Sequence, residues 1–173
     1  MRITTKTTLL IMMLLGLTLA GCDSTKKKKT MTDDPSMGES MSDEDYAKRD
    51  LVVNGDSDSG KAGAIRTVYF NFNSSSLSDS TRSALQANAD FLKANTGVEI
   101  QIEGHADERG GVQYNLALGE QRGATVKRYL VSMGVSSSRI TTISFGKERP
   151  IAFGHSENSW SRNRRANFVV TAK

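Results

Sequence analysis

The sequence predicts an α+β domain over residues 65–173, a small mixed β-sheet with helices packed on it in the order βαβαβαβ. Three observations lead there. Short runs alternate apolar and polar residues, as in Val98-Glu99-Ile100-Gln101-Ile102-Glu103, which is the period of a half-buried strand. Between such runs, apolar residues recur at helical spacing, as at Leu85, Ala89 and Leu92. Glycine, serine and proline separate the two patterns.

Taken in order, Thr67 to Asn73 places Val68, Phe70 and Phe72 on one face of a first strand, ended by Ser74-Ser75-Ser76. Ser78 is a suitable N-cap for a first helix running to Asn95, with Asp79 in its first turn and Gly97 as a stop. The second strand, Val98 to Glu103, leads through Gly104 into the loop His105 to Gly111. A second helix follows from Val112 to Met133 and closes at Gly134. Ile140 to Phe145 forms a third strand, Gly146 to Pro150 a turn, Ser156 to Arg162 a short helix and Ala166 to Thr171 a last strand. Such alternation implies helices layered on a sheet, without fixing the strand order.

The N-terminal part has neither period. Residues 1–21 carry Arg2 and Lys6, an apolar run from Leu9 to Ala20 and small residues before Cys22, the pattern of an export signal. Its apolar run is shorter than the roughly 20 residues that span a bilayer. Cys22 is the single cysteine, so no intrachain disulfide forms, and Leu19-Ala20-Gly21-Cys22 resembles a bacterial lipobox. The resemblance implies acylation of Cys22 and anchoring to a membrane; two or more chains hold stably, at about 0.8 kcal/mol per buried CH₂. Residues 22–64 are expected to form a flexible tether, because Lys26 to Lys29 and the acidic, serine-containing tract beyond them offer little apolar surface to offset ordering.

From Ile65 onward, fourteen Lys and Arg face nine Asp and Glu. Basic charge of this size suits an acidic polymer, and export with a lipid anchor points away from nucleic acid. The junction of the second strand and second helix is the candidate site, since loops at strand ends carry ligands on a rigid scaffold. Asn115, Leu118 and Arg122 fall on one helical stripe. Asp107 and Arg122 either tie loop to helix by pairing with each other or present opposite charges to one pocket, an arrangement that fits a zwitterion.

Several motifs then recur in order: Gly104-His105-Ala106-Asp107-Glu108-Arg109-Gly110, Tyr114-Asn115, Leu118-Gly119-Glu120-Gln121-Arg122, Val126 to Leu130, Ser144 to Pro150 and Asn163-Arg164-Arg165-Ala166. This pattern resembles the peptidoglycan-binding domain shared by outer membrane protein A and the peptidoglycan-associated lipoproteins, over about Val68 to Val170. With signal, cysteine and tether, the whole chain resembles the lipoprotein family.

The resemblance implies non-covalent binding of the diaminopimelate residue of uncrosslinked stem peptides, without cleavage, cofactor or metal. Asp107 and Arg122 would clamp its amino-acid end. Amides of the loop after Gly104, with His105 and Ala106, would hold a carboxylate, and Phe72, Asn73, Asn115 and Leu118 would line the pocket. It also implies outer-membrane anchoring with the domain facing the periplasm, and a place in the Tol-Pal system of envelope integrity and division, with TolB and other Tol proteins as partners.

Two positions depart from the pattern. Asn71 and Asn73 stand where the family usually has aspartates, and Asp23 after the cysteine resembles an inner-membrane retention signal of enteric bacteria.

An enzyme would need more than His105 and His155, which show no H-E-x-x-H or equivalent spacing. A stator-type motor protein would need a retained transmembrane helix. A protein-binding envelope scaffold with a vestigial pocket is the alternative reading, and ligand binding by the folded domain discriminates it.

Trp160 and Arg162 read as packing and surface groups. Asn163, Arg164 and Arg165 read as either bracing the pocket from behind or being solvated or at a strand edge.

Overall fold

The computed structural model describes residues 42–173. The expected signal at 1–21, Cys22, Asp23 and the tether up to residue 41 lie outside the described residues.

The elements follow as α1 (Asp43–Ala47), β1 (Val68–Tyr69), α2 (Asp79–Ala94), β2 (Glu99–His105), α3 (Val112–Ser132), a 3₁₀ turn (Ser137–Arg139), β3 (Ile140–Gly146), α4 (Glu157–Asn163) and β4 (Arg165–Ala172). From β1 onward this is the expected βαβαβαβ succession. The sheet runs β1-β4-β2-β3, with β2 and β3 parallel and β4 antiparallel to both β1 and β2, so it is mixed as predicted.

Local chemistry accounts for the element ends. Ser78 Oγ accepts from Thr81 N at 3.2 Å and caps α2. Helix α3 stops at Met133, where Gly134 takes the left-handed φ of 95°. Alternation along β2 buries Ile100 and Ile102, which meet Phe168 and Val170 of β4 and, from the helices, Leu85, Ala89, Leu92, Val126 and Leu130. Each of these larger side chains contributes about 1.5–3 kcal/mol by leaving water.

Helix α3 lies close on the sheet because glycines face each other. A Cβ on Gly104 would stand 1.9 Å from the Gly119 carbonyl oxygen, and one on Gly119 would stand 2.3 Å from Ser144 Oγ. Gly104 therefore serves helix–strand packing at the strand end from which the candidate ligand loop departs.

Strand β1 is shorter than the alternation predicts. After Tyr69 the chain leaves the sheet, and Asn73 adopts φ 51°, a left-handed conformation that asparagine tolerates better than most residues. The departure frees the carbonyls of Asn71 and Ser74 for a guanidinium described below.

The expected tether is partly folded. Asn54 N and Ser57 N donate to the carbonyls of Val170 and Phe168, and Val170 N donates to Gly55 O, so residues 54–57 continue the outer edge of β4 beyond β1. Leu51 bridges Ala62, and Ala62 is fully buried.

Polar side chains fasten the same segment. Asn167 Oδ1 accepts from Ser57 Oγ and Asp58 N, while Asp58 accepts from Thr67 and Arg165. Composition misleads here because backbone pairing and buried polar bonds, with only Leu51 and Ala62 of this strip on the apolar core, hold the segment.

Candidate functional site

The end of β2 builds the site. A bulge between Gly104 and His105 shifts the register against β3 and turns the chain into the loop 106–111. Helix α3 starts beyond Gly111 and directs Asn115, Leu118 and Arg122 back toward that loop, all three buried. Between loop, helix and the segment after β1 lies a cavity of about 200 Å³ lined by Phe72, Asn73, Ala106, Asp107, Asn115, Leu118 and Arg122, together with Arg109, Gly110, Tyr114 and Arg164.

Arg122 is 0% exposed, and its guanidinium donates to three backbone carbonyls, those of Ser74 at 2.9 Å, His105 at 2.7 Å and Asn71 at 3.1 Å. Burial, then the neighbouring Arg164, lower its pKa to about 10, so it stays charged at neutral pH. Three bonds use three of the five guanidinium N–H groups.

Asp107 is 4% exposed and pairs with other arginines. Arg109 reaches it with Nε at 3.2 Å, Nη2 at 2.6 Å and its backbone N at 3.1 Å, and Arg164 Nη1 adds a contact at 3.3 Å. Burial alone would raise the carboxyl pKa, but these bonds outweigh it and hold Asp107 below the usual range. Among the described residues, then, Asp107 and Arg122 line one cavity without forming an ion pair with each other.

Arg109 was not singled out from the sequence. Its guanidinium lies between two rings, 4.0 Å from the centroid of Phe72 and 4.0 Å from that of Trp160. Trp160 in turn donates through Nε1 to Glu108 Oε1 at 2.7 Å. Trp160 is thus part of the wall that steadies the loop, beyond the packing role its position suggests. Arg164 also donates to Phe70 O at 3.0 Å and to Glu157, which resolves its two readings in favour of bracing the pocket.

His105 contributes to the site only through its backbone. Its ring lies under the loop, stacked on Phe145 with centroids 5.7 Å apart, and neither ring nitrogen has a hydrogen-bond partner among the described residues. Glu103 Oε2 is 3.6 Å from Nε2. Burial lowers the histidine pKa, partly opposed by Glu103.

At the mouth, Tyr114 Oη donates to Asn73 Oδ1. An asparagine there accepts that bond without bringing a second carboxylate to the rim.

The OmpA family model matches residues 69–164. The peptidoglycan-associated lipoprotein of Pseudomonas aeruginosa is 46% identical over 121 residues, 69% of this chain and 71% of the relative. That of Agrobacterium fabrum is 38% identical over 161 residues, 92% of this chain and 85% of the relative. The crystal structure of the peptidoglycan-associated lipoprotein from Burkholderia pseudomallei aligns with a TM-score of 0.59 at 46% identity, covering 61% of this chain and 89% of that one. Sequence and fold agree: the chain belongs to the OmpA family and, within it, to the peptidoglycan-associated lipoproteins.

Proposed function

We propose that the cavity binds peptidoglycan non-covalently by the amino-acid end of a diaminopimelate residue on an uncrosslinked stem peptide. The observation that carries this reading is the pair of buried opposite charges lining one small cavity while each is held by other groups. A ligand carboxylate meets the two N–H groups that Arg122 keeps, and Asn115, Leu118 and Phe72 enclose the aliphatic part. A ligand ammonium goes to Asp107. Four bonds already occupy that carboxylate, so the ammonium enters by exchange with the Arg109 side chain, which retains its seat between Phe72 and Trp160.

Binding and orientation are the whole mechanism in this proposal. With acylated Cys22 in the outer membrane and the domain in the periplasm, the chain links membrane to wall within the Tol-Pal system, with TolB and other Tol proteins as partners. Family membership supports those roles, and Asp23 is the residue that opposes the outer-membrane assignment.

Calorimetric titration of the whole chain in detergent tests the clamp. A stem peptide with diaminopimelate is expected to bind more tightly than its lysine counterpart. Asp107→Asn should weaken binding about 10- to 100-fold, the equivalent of one charge-assisted bond of roughly 1.5–3 kcal/mol. Equal affinity for the two peptides, or unchanged affinity in a folded Asp107→Asn variant, would sink the clamp and favour the scaffold.

A further inference from the structure

A second cavity, of about 310 Å³, lies across the loop 106–111 from the first; Ala106 lines both, and Glu108, Lys147, Phe153 and His155 border the second. One member is an aromatic ring open to solvent: Phe153 is 83% exposed. An exposed ring on a loose loop would say little, but this one is on a fastened loop.

Asn163, 4% exposed, accepts from Ile151 N at 2.9 Å and Ala152 N at 3.1 Å and donates to Ala152 O at 2.7 Å. Ser159 Oγ donates to Phe153 O at 2.8 Å. The fold thus commits a buried amide to presenting Phe153 to solvent, and little ordering remains to be done when a ligand arrives.

The polar border is equally fixed. Lys147 Nζ donates to the carbonyls of Glu108 at 3.2 Å and Gly110 at 2.7 Å, which also ties this cavity to the loop of the first. Trp160 Nε1 and His155 Nδ1 both meet Glu108 Oε1, and among the described residues Oε2 receives no bond. These two bonds hold the Glu108 carboxyl below its usual pKa, so it remains an acceptor.

We infer that this second cavity is a subsite for the N-acetylated sugar that carries the stem peptide, with the apolar face of the sugar ring on Phe153 and its hydroxyl and acetamido groups on Glu108, Lys147 and His155. The inference rests on the peptide-binding reading of the first cavity. Two amino acids separate that sugar from diaminopimelate in the stem, and at about 3.5 Å per residue they span roughly the thickness of one loop. A flat aromatic face bordered by a carboxylate, an ammonium and an imidazole suits a ligand that is apolar on one face and rich in hydroxyls at its edge.

The test compares two ligands on the whole chain in detergent: the free stem peptide and the same peptide on its disaccharide. The disaccharide-peptide is expected to bind about fivefold more tightly, or roughly 1 kcal/mol at 1.4 kcal/mol per tenfold. Phe153→Ala should remove that advantage without changing affinity for the free peptide, and Phe153→Tyr should retain it. Equal binding of the two ligands by the wild-type chain, or an advantage that survives Phe153→Ala, overturns the subsite and leaves the peptide pocket standing. Failure of both ligands to bind overturns both.

Discussion

The two ends of β2 each place an arginine on backbone carbonyls, with different results. At the start of the strand, Arg139 donates to Leu92, Asn95 and Val98, joining the C-terminal carbonyls of α2 to the sheet. Those carbonyls carry the negative end of the helix, so the cation also has a favourable field. At the far end, Arg122 donates once each to Asn71, Ser74 and His105, which come from an irregular segment and a bulged strand end. One guanidinium closes a helix, while the other holds open the walls of a cavity and keeps donors for what enters it. Burial in contact with backbone does not by itself separate a structural arginine from one proposed to bind; the separation comes from the carbonyls it holds and the donors it keeps.

Replacing each arginine tests that difference. Arg122→Met should be the most damaging, because it strands three carbonyls at the pocket; we expect a stability loss of about 3–5 kcal/mol in denaturant melts and no measurable peptide binding. Arg122→Lys should recover part of the stability but not the affinity, since an ammonium lacks the fork. For Arg139→Ala the expected loss is about 1–2 kcal/mol, with peptide affinity unchanged. A matching fall in affinity there would erase the distinction between the two ends.

The smallest effect should come from pH. His105 supplies a carbonyl to Arg122, and its buried ring favours the neutral form in the fold. The unfolded chain takes up that proton nearer 6.5, so the stability associated with neutral His105 is present above that value and is lost as pH falls through it toward the lower folded pKa. Thermal melts between pH 7.5 and 5.5 should therefore fall more steeply in the wild type than in His105→Gln, by at most about 1.4 kcal/mol per pH unit. Identical slopes would show that His105 does not titrate differently in the two states.

Period and caps made most of the sheet and both long helices legible, including the stripe of Asn115, Leu118 and Arg122. The partners of Asp107 were not. Arg164 lies 57 residues away, and Arg109 reaches back only because the loop bends. Periodicity has no means of registering either contact. His105 and Gly104 stand out in the sequence through the motif alone, which does not show that the ring of one stacks on Phe145 or that the other admits α3. The strip from Leu51 to Ala62 carried one local signal, Val53-Asn54-Gly55, where Gly55 N donates to Val52 O and Asn54 takes φ 63°. Its polar composition outweighed that signal because the bonds that hold it are invisible to a hydropathy pattern.

That strip also sets where a pull would act. With α1 held through Arg66 to Asp43 and the Tyr46 ring, and residues 50–64 paired beyond it, the chain is folded onto the domain from Ser42, 23 residues and about 80 Å of contour earlier than composition suggests. A load arriving along the chain from its N-terminal side would meet α1 on Arg66, then the pairing of Leu51 with Ala62 and of residues 54–57 with β4, before it reached β1. The segment that supplies the Asn71 and Ser74 carbonyls lies beyond all of these, so an edge strand would yield to tension before the cavity around Arg122 felt it.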